Sequence, residues 1–139
     1  MRVKIKICGI SEEDNIKCCI DNSIDMIGFV FYENSPRNIS ILKAKNLYRE
    51  FGHEINIVGL VVDPDENLVE TLVNEIGINI LQFHGNENLS KLLTLKSKYN
   101  IQIIKAININ EGTDKAQLIE LQNNMDYLLF DAPPPENSM

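Results

Sequence analysis

The sequence predicts an α/β protein in which β-strands and helices alternate. Six short apolar segments recur along the 139 residues, and segments of about 15 to 20 residues with helical spacing separate them. No Asn-Gly or Asp-Gly turn lies between consecutive segments, which disfavours hairpins. Continuously apolar runs are typical of parallel strands with both faces covered. The predicted strands are Val3 to Ile7, Met26 to Phe31, Ile55 to Val62, Ile78 to Phe83, Ile101 to Ile107 and Tyr127 to Phe130.

The segments between the strands carry helix signals. Leu68, Leu72, Val73 and Ile76 have the spacing of one helix face. Acidic, hydroxyl or amide residues that can cap a helix precede several of these segments. We therefore expect helix starts at Ser11 with Asp14, at Asp63-Pro64 and at Asn86-Glu87.

Two architectures fit this pattern of strand and helix: a (β/α)₈ TIM barrel, of which the chain supplies about six βα units, and an open doubly wound sheet of five or six strands. The length favours the open sheet, because a complete barrel takes about 250 residues. The end of the sequence favours the barrel, because Pro133 to Met139 follow the last strand and supply no helix to cover it. In either case residues 1–139 form a single domain, and the barrel reading makes it C-terminally truncated.

Composition narrows the classes of function. The formal net charge of −7, with scattered cations, disfavours non-specific nucleic-acid binding. Three cysteines, two of them adjacent as Cys18-Cys19, fit neither a disulfide framework nor a zinc site, and they favour a reduced, cytoplasmic setting. No apolar run approaches the roughly 20 residues that cross a bilayer. No cofactor or metal motif occurs, so we expect no metal, cofactor, nucleic acid or membrane partner.

Polar residues follow the predicted strands and, in parallel strands, would meet at one edge of the sheet. A thiol, a carboxylate, a guanidinium and an imidazole in one place suit proton transfer on an anionic substrate, with arginine binding a carboxylate. These residues are Cys8, Ser35-Pro36-Arg37, Asp63, Gln82, His84, Asn108 and Asp131.

Each candidate also has a structural interpretation. Cys8 could be a small buried apolar residue, Asp131 a turn former, and His84 a hydrogen-bonded structural imidazole. Arg37 could pair on the surface, and Lys6 could either pack its stem in the core or act as an electrostatic neighbour of the thiol. Cys18 and Cys19 are expected to pack in the first helix, His53 to lie at the surface, and Asp63 to cap a helix.

Five motifs in order resemble the phosphoribosylanthranilate isomerase family. The resemblance covers the whole chain but only about the first two-thirds of a complete member. It implies a (β/α)₈ barrel whose seventh and eighth strands lie outside this sequence. The motifs are Lys6-Ile7-Cys8-Gly9-Ile10, Gly28 to Tyr32 followed by Ser35-Pro36-Arg37, Val58 to Val62, Leu81-Gln82-Phe83-His84-Gly85, and Leu128 to Asp131.

The resemblance also implies an activity. Members carry out an Amadori rearrangement in tryptophan biosynthesis, converting N-(5-phosphoribosyl)anthranilate to 1-(2-carboxyphenylamino)-1-deoxyribulose 5-phosphate without a cofactor. Asp131 matches the family's general acid and Cys8 its general base, while Arg37 matches the arginine that contacts the anthranilate carboxylate. His84 lines the same pocket, and we assign Gln82 and Lys6 as further substrate-binding residues. A homodimer or another tryptophan-pathway enzyme is the expected protein partner.

Two other functions compete with the isomerase. A receiver-like signalling module would use Asp63 and Lys105, but it needs an acidic pair where the first strand ends at Cys8-Gly9. A truncated isomerase without activity is the other possibility, because barrels of this kind usually bind the substrate phosphate in the loops after strands seven and eight. We expect residues 1–139 alone to turn over poorly or not at all.

Overall fold

A computed structural model describes residues 2–131, which form six strands that alternate with five helices. The third helix continues directly into a π-helical turn over Thr71–Ile76. The strands are β1 (Lys6–Cys8), β2 (Met26–Phe31), β3 (Asn56–Val61), β4 (Ile80–Phe83), β5 (Gln102–Asn108) and β6 (Tyr127–Asp131). The helices are α1 (Glu13–Asp21), α2 (Ile41–Phe51), α3 (Glu66–Glu70), α4 (Leu89–Tyr99) and α5 (Lys115–Asn124).

The six strands make one parallel sheet in the order β1-β2-β3-β4-β5-β6. Each strand therefore pairs with the next in sequence, as in a barrel, whereas a doubly wound sheet reverses its strand order at a switch point. This order confirms the barrel prediction and shows that the expectation of an open doubly wound sheet, drawn from chain length, was wrong. The receiver-like module, which needs such a sheet, is excluded with it.

The first strand begins later than the sequence predicts. Pairing with β2 starts at Lys6 opposite Met26, and Val3 is 82% exposed. The Ile5 carbonyl accepts hydrogen bonds from the amides of Asp25 and Met26, so the chain reaches the sheet only at this point. The apolar character of Val3 and Ile5 suggested a longer strand than backbone pairing supports. The other five predicted strands lie where expected, within two residues at each end.

All three predicted helix starts were wrong by one or two residues. Helix α1 follows Glu12, and no side chain caps it. Helix α3 is capped by Asp65, whose carboxylate accepts a hydrogen bond from the Leu68 amide, and α4 by Asn88, which accepts one from Lys91. Neighbouring capping residues compete at each start. Asp63 and Glu87, left outside the helices, bond instead within the loops after the strands.

Two apolar layers hold the fold together. The larger lies between the sheet and the helices and includes Leu72 and Ile76, as their helical spacing predicted. The smaller lies inside the curve of the sheet and consists of Met26, Val58, Ile80 and Ile104, with Tyr127 and Leu129 against it.

The residues that received no functional role from the sequence, Cys18, Cys19 and His53, lie partly in the core and partly at the surface. Cys19 is buried in the larger layer, but Cys18 is exposed, so packing was right for one cysteine of the two. His53 is exposed, as expected. Within residues 2–131 no helix has the length and apolarity to cross a membrane. The proline run at residues 133–135 and the chain end at Met139 lie outside the described residues.

Candidate active site

A cavity of about 600 Å³ opens where the strands end, inside the curve of the sheet. It brings together residues from β1, β2, β3, β4 and β6 and from the loop after β2. All six residues assigned from the sequence line it, namely Lys6, Cys8, Arg37, Gln82, His84 and Asp131. Val30, Leu60, Val62 and Leu129 supply its apolar walls, and Tyr32 and Ser35 part of its rim.

Lys6 and Cys8 lie two residues apart on β1 and point to the same face of the strand. Gly28, paired with Cys8 on β2, makes room for both: a Cβ at Gly28 would lie 3.1 Å from the Cys8 sulfur and 3.2 Å from Lys6 Nζ. Burial lowers the pKa of the Lys6 ammonium below its usual range, and the neighbouring Cys8 sulfur only partly opposes that shift. Lys6 is therefore both partly buried and a neighbour of the thiol, which fits both interpretations of this residue.

Arg37 crosses the backbone immediately after Cys8. Its Nη1 donates a hydrogen bond to the Cys8 carbonyl oxygen at 3.2 Å. Gly9 has a φ of +83°, and a Cβ there would overlap Arg37 Cδ. The glycine therefore both permits the turn out of β1 and lets the guanidinium settle over it. The Cys8-Gly9 dipeptide fixes where Arg37 enters the cavity.

His84 and Asp131 meet on the other side of the cavity. His84 Nε2 lies 3.7 Å from Asp131 Oδ2, and both side chains are partly exposed, 34% and 50% respectively. His84 follows β4 directly, and its amide donates to the Val61 carbonyl, which extends the pairing between β3 and β4. The imidazole is thus held on a fixed backbone next to the carboxylate.

Gln82 lies deeper in the same cavity. It is 2% exposed, and in register it stands between Leu60 on β3 and Ile104 on β5, which are both apolar. Its Oε1 atom is fully buried and has no hydrogen-bond donor within residues 2–131.

Two other strand-end residues, Asp63 and Asn108, lie apart from this site. They line a neighbouring cavity of about 540 Å³, together with Glu87 and Lys105. Asp63 has a φ of +42°, and its carboxylate accepts a hydrogen bond from the Asn86 amide rather than capping a helix. The predicted residues therefore share one edge of the sheet but divide between two adjoining cavities, both of which His84 lines.

Sequence reasoning missed one feature of the site and one of the neighbouring cavity. Tyr32 was quoted as part of a motif without a role, although an aromatic residue directly after a buried strand was a usable signal. The other is Glu87, whose side chain is entirely buried and accepts hydrogen bonds from the amides of Asp63 and Gly85 and from Lys105 Nζ. A lysine inside the apolar run of β5 was the signal, because a buried ammonium needs a partner.

The chemical capacity of the site is proton transfer on a bound anion. Cys8, His84 and Asp131 are groups that exchange protons, and Arg37 and Lys6 are cations that attract an anionic ligand. Within the described residues, 2–131, no cluster of three His, Cys, Asp or Glu side chains could hold a metal ion.

The fold and the cavity define a (β/α)-barrel protein with an acid–base site at the carboxyl ends of its strands, where enzymes of this fold carry their active sites. Residues 5–137 match the family model described as N-(5'phosphoribosyl)anthranilate (PRA) isomerase. The chain belongs to this family.

Curated relatives agree with the family model. The N-(5'-phosphoribosyl)anthranilate isomerase of Rhodospirillum rubrum is 37% identical over an alignment of 136 positions, and the match covers 94% of this chain and 62% of the relative. That of Paramagnetospirillum magneticum is 32% identical over 139 residues, all of this chain and 65% of the relative. The chain thus spans less than two-thirds of the length of these relatives.

Solved structures agree with the fold. Phosphoribosyl anthranilate isomerase from Thermotoga maritima superposes with a TM-score of 0.81 at 26% identity, over 97% of this chain and 64% of that one. A second isomerase structure superposes with a TM-score of 0.79 at 25% identity, over 95% of this chain and 66% of that one. The second is a complex with reduced 1-(o-carboxyphenylamino)-1-deoxyribulose 5-phosphate.

Proposed function

We propose that this chain provides the acid–base site of a phosphoribosylanthranilate isomerase. The reaction is the Amadori rearrangement of N-(5-phosphoribosyl)anthranilate to 1-(2-carboxyphenylamino)-1-deoxyribulose 5-phosphate, a step of tryptophan biosynthesis. Family membership supports the assignment, but the observation that carries it is geometric. Cys8 and Asp131, 123 positions apart in the sequence, line one cavity together with Arg37.

Asp131 is the proposed general acid. Its proton goes to the ring oxygen of the ribose, the bond between that oxygen and C1 breaks, and the nitrogen lone pair forms a protonated imine at C1. Asp131 is partly exposed at the rim, where a substrate oxygen has access to it. His84, 3.7 Å from that carboxylate, is placed to orient it or to hold the released hydroxyl.

Cys8 is the proposed general base. As a thiolate it removes the proton from sugar C2; the electron pair forms the C1–C2 double bond, and the imine nitrogen recovers its lone pair. The resulting enolamine tautomerises to the ketose. A thiolate is the form that accepts a proton, and the sulfur lies beside the Lys6 side chain on the same face of β1.

Arg37 is the proposed anchor for the anthranilate carboxylate. A guanidinium can donate two parallel hydrogen bonds to a carboxylate, which fixes both position and orientation. The bond from Nη1 to the Cys8 carbonyl leaves the other donors of the fork free to bind a ligand. In this proposal the anthranilate ring is anchored at Arg37 and the sugar occupies the rest of the cavity, which Cys8 and Asp131 also line.

The assay for this function follows the loss of anthranilate fluorescence with freshly prepared phosphoribosylanthranilate. It is run on the 139-residue chain and on the same chain joined to the segment of the Rhodospirillum rubrum relative that lies beyond the matched region. We expect turnover from the joined chain, and little from residues 1–139 alone, because barrel loops outside this length usually bind phosphate. Inactivity of the joined chain, when folded, would overturn the assignment.

A homodimer, an association with another enzyme of the pathway and a cytoplasmic setting stay predictions. Cofactor independence is part of the proposal, because the steps above need only an acid and a base. Its check is turnover after dialysis against a chelator.

A further inference from the structure

Lys6 brings an amine into the main cavity that the proposed proton transfers leave unused. Its side chain is partly buried and lines the cavity. Within residues 2–131 no carboxylate pairs with it, whereas the buried Lys105 has Glu87 Oε1 at 3.0 Å from its Nζ. Burying an ammonium without a counter-charge costs free energy, and the cost falls when the group gives up its proton. The surroundings of Lys6 therefore favour the neutral amine more than water does.

The charges near Lys6 act on the same equilibrium. Burial lowers the pKa of its ammonium below the usual value, the Cys8 sulfur opposes part of that shift, and the positive charge of Arg37 adds to it. An ammonium has no lone pair, whereas an amine has one that can attack a carbonyl carbon. Lysines that form covalent imines are activated in this way, by burial in a pocket or by a second cation nearby. Lys6 meets both conditions.

Nζ of Lys6 and Sγ of Cys8 border one space in the cavity. Gly28 makes room for both, since a Cβ there would lie 3.2 Å from Nζ and 3.1 Å from Sγ. The sulfur is thus placed to pass a proton between the amine and a group bound beside it. The cavity, about 600 Å³, has the volume of sites that bind small molecules, and Arg37 on its wall attracts an anion. The arrangement suits a small aldehyde with an anionic group.

We propose that Lys6 Nζ forms a Schiff base with a small aldehyde that carries a phosphate group. The amine lone pair attacks the aldehyde carbon, and the proton that the nitrogen loses reaches the carbonyl oxygen by way of the Cys8 sulfur. A second proton, from solvent, lets that oxygen leave as water, and the nitrogen lone pair completes the C=N bond of a protonated imine. This activity goes beyond the proposed isomerase reaction, in which the imine nitrogen is that of the anthranilate and Lys6 forms no bond to the substrate.

The test traps this imine by reduction. The 139-residue chain, its fold checked by circular dichroism, is incubated at neutral pH with glycolaldehyde phosphate and cyanoborohydride. Hydride adds to the imine carbon and leaves a stable secondary amine, which peptide mass spectrometry locates and quantifies at each lysine. Lys115, an exposed lysine on α5, is the internal control. The comparisons are the chain in urea, the variant Arg37→Met, and glycolaldehyde, which lacks the phosphate.

We expect Lys6 in the folded chain to be modified about tenfold faster than Lys115, because it holds more free amine at neutral pH and lies near a cation that attracts the phosphate. In urea the two rates should be equal. Arg37→Met and glycolaldehyde should each slow the reaction at Lys6 severalfold and leave Lys115 unchanged. Equal rates at the two lysines in the folded chain would overturn the Schiff base, and an unchanged rate with glycolaldehyde would overturn the phosphate-bearing ligand. Either result leaves the isomerase assignment standing, because that assignment makes no covalent use of the Lys6 amine.

Discussion

The Glu87 carboxylate and the Lys105 ammonium form an interior ion pair, with 3.0 Å between Oε1 and Nζ. The pair ties together three parts of the barrel rim, because Glu87 also accepts from the Asp63 and Gly85 amides and Lys105 Nζ donates to the Gly85 carbonyl at 2.8 Å. The backbone on both sides of the β4 end is thereby fixed, and His84 precedes it directly.

Removing one partner of this pair should destabilise the fold strongly. Lys105→Met leaves a buried carboxylate without its counter-charge, and we expect a loss of about 3 to 5 kcal/mol in the free energy of unfolding. The measurement is urea denaturation. Adding Glu87→Gln to Lys105→Met should recover part of the loss, since no uncompensated charge then remains. The exposed pair of Lys43 and Glu12 supplies the control, for which Lys43→Met should change little. If Lys105→Met and Lys43→Met lowered the free energy of unfolding equally, burial of the Glu87–Lys105 pair would not be the source of its contribution.

Loss of either proposed proton-transfer group should abolish most turnover. In the form of the chain that is active, we expect Cys8→Ala and Asp131→Asn each to lower kcat by on the order of a hundredfold or more, because each removes one proton transfer. Initial rates in the anthranilate fluorescence assay check this. Cys18→Ala removes an exposed thiol outside the cavity and should leave the rate unchanged. A near wild-type rate in either site variant would show that its residue has been given the wrong role.

Adding a methyl group at Gly9 should displace Arg37. The new Cβ would overlap Arg37 Cδ and sit on a backbone with positive φ, which costs about 1 kcal/mol or more in a residue other than glycine. We expect Gly9→Ala to weaken binding of the reduced product about tenfold through the misplaced guanidinium. Calorimetric titration measures it, with Gly112→Ala, where a Cβ has only ordinary contacts, as the matched variant. If Gly9→Ala binds the reduced product with unchanged affinity, Gly9 does not determine the position of Arg37.

Asp126 should make stability depend on pH in the acid range. Burial alone raises the pKa of its carboxyl, but hydrogen bonds from Lys96 Nζ and from the Ile103 amide, both 2.8 Å, lower it below the usual 3.8 overall. A lowered pKa in the folded state stabilises the fold above pH 3.8, and this stabilisation is lost as the pH falls through the folded value.

We therefore expect Asp126→Asn to cost about 1 to 2 kcal/mol at pH 7 and progressively less below pH 3.8. Chemical denaturation across this range follows the difference from wild type. Asp21→Asn, at an exposed position, provides the comparison. A difference that stayed constant with pH would show that charge is not the source of the stabilisation.

The apolar pattern located the strands, whereas their order in the sheet was predicted only through the motif resemblance to a barrel family. An apolar run such as Met26 to Phe31 can be recognised in the sequence. Strand order depends on how the helices pack against the sheet, and the periodicity of apolar residues does not contain that information. Cys8 and Asp131 were found because residues after parallel strands converge. Helix starts failed where capping residues crowd together, as in Asn86-Glu87-Asn88, and choosing among them requires knowing that Glu87 has a buried partner 18 positions away.

The proposed base and acid both lie on strands with a single neighbour. Within residues 2–131, β1 pairs only with β2 and β6 only with β5. Near the opposite ends of these strands, Lys4 Nζ donates a 3.0 Å hydrogen bond to the Tyr127 hydroxyl and bridges the same gap. The distance between Cys8 and Asp131 therefore depends on how far apart the two outermost strands, β1 and β6, lie. Any segment or ligand that bridges β1 and β6 therefore changes the distance between Cys8 and Asp131 and the position of the Lys4–Tyr127 contact together.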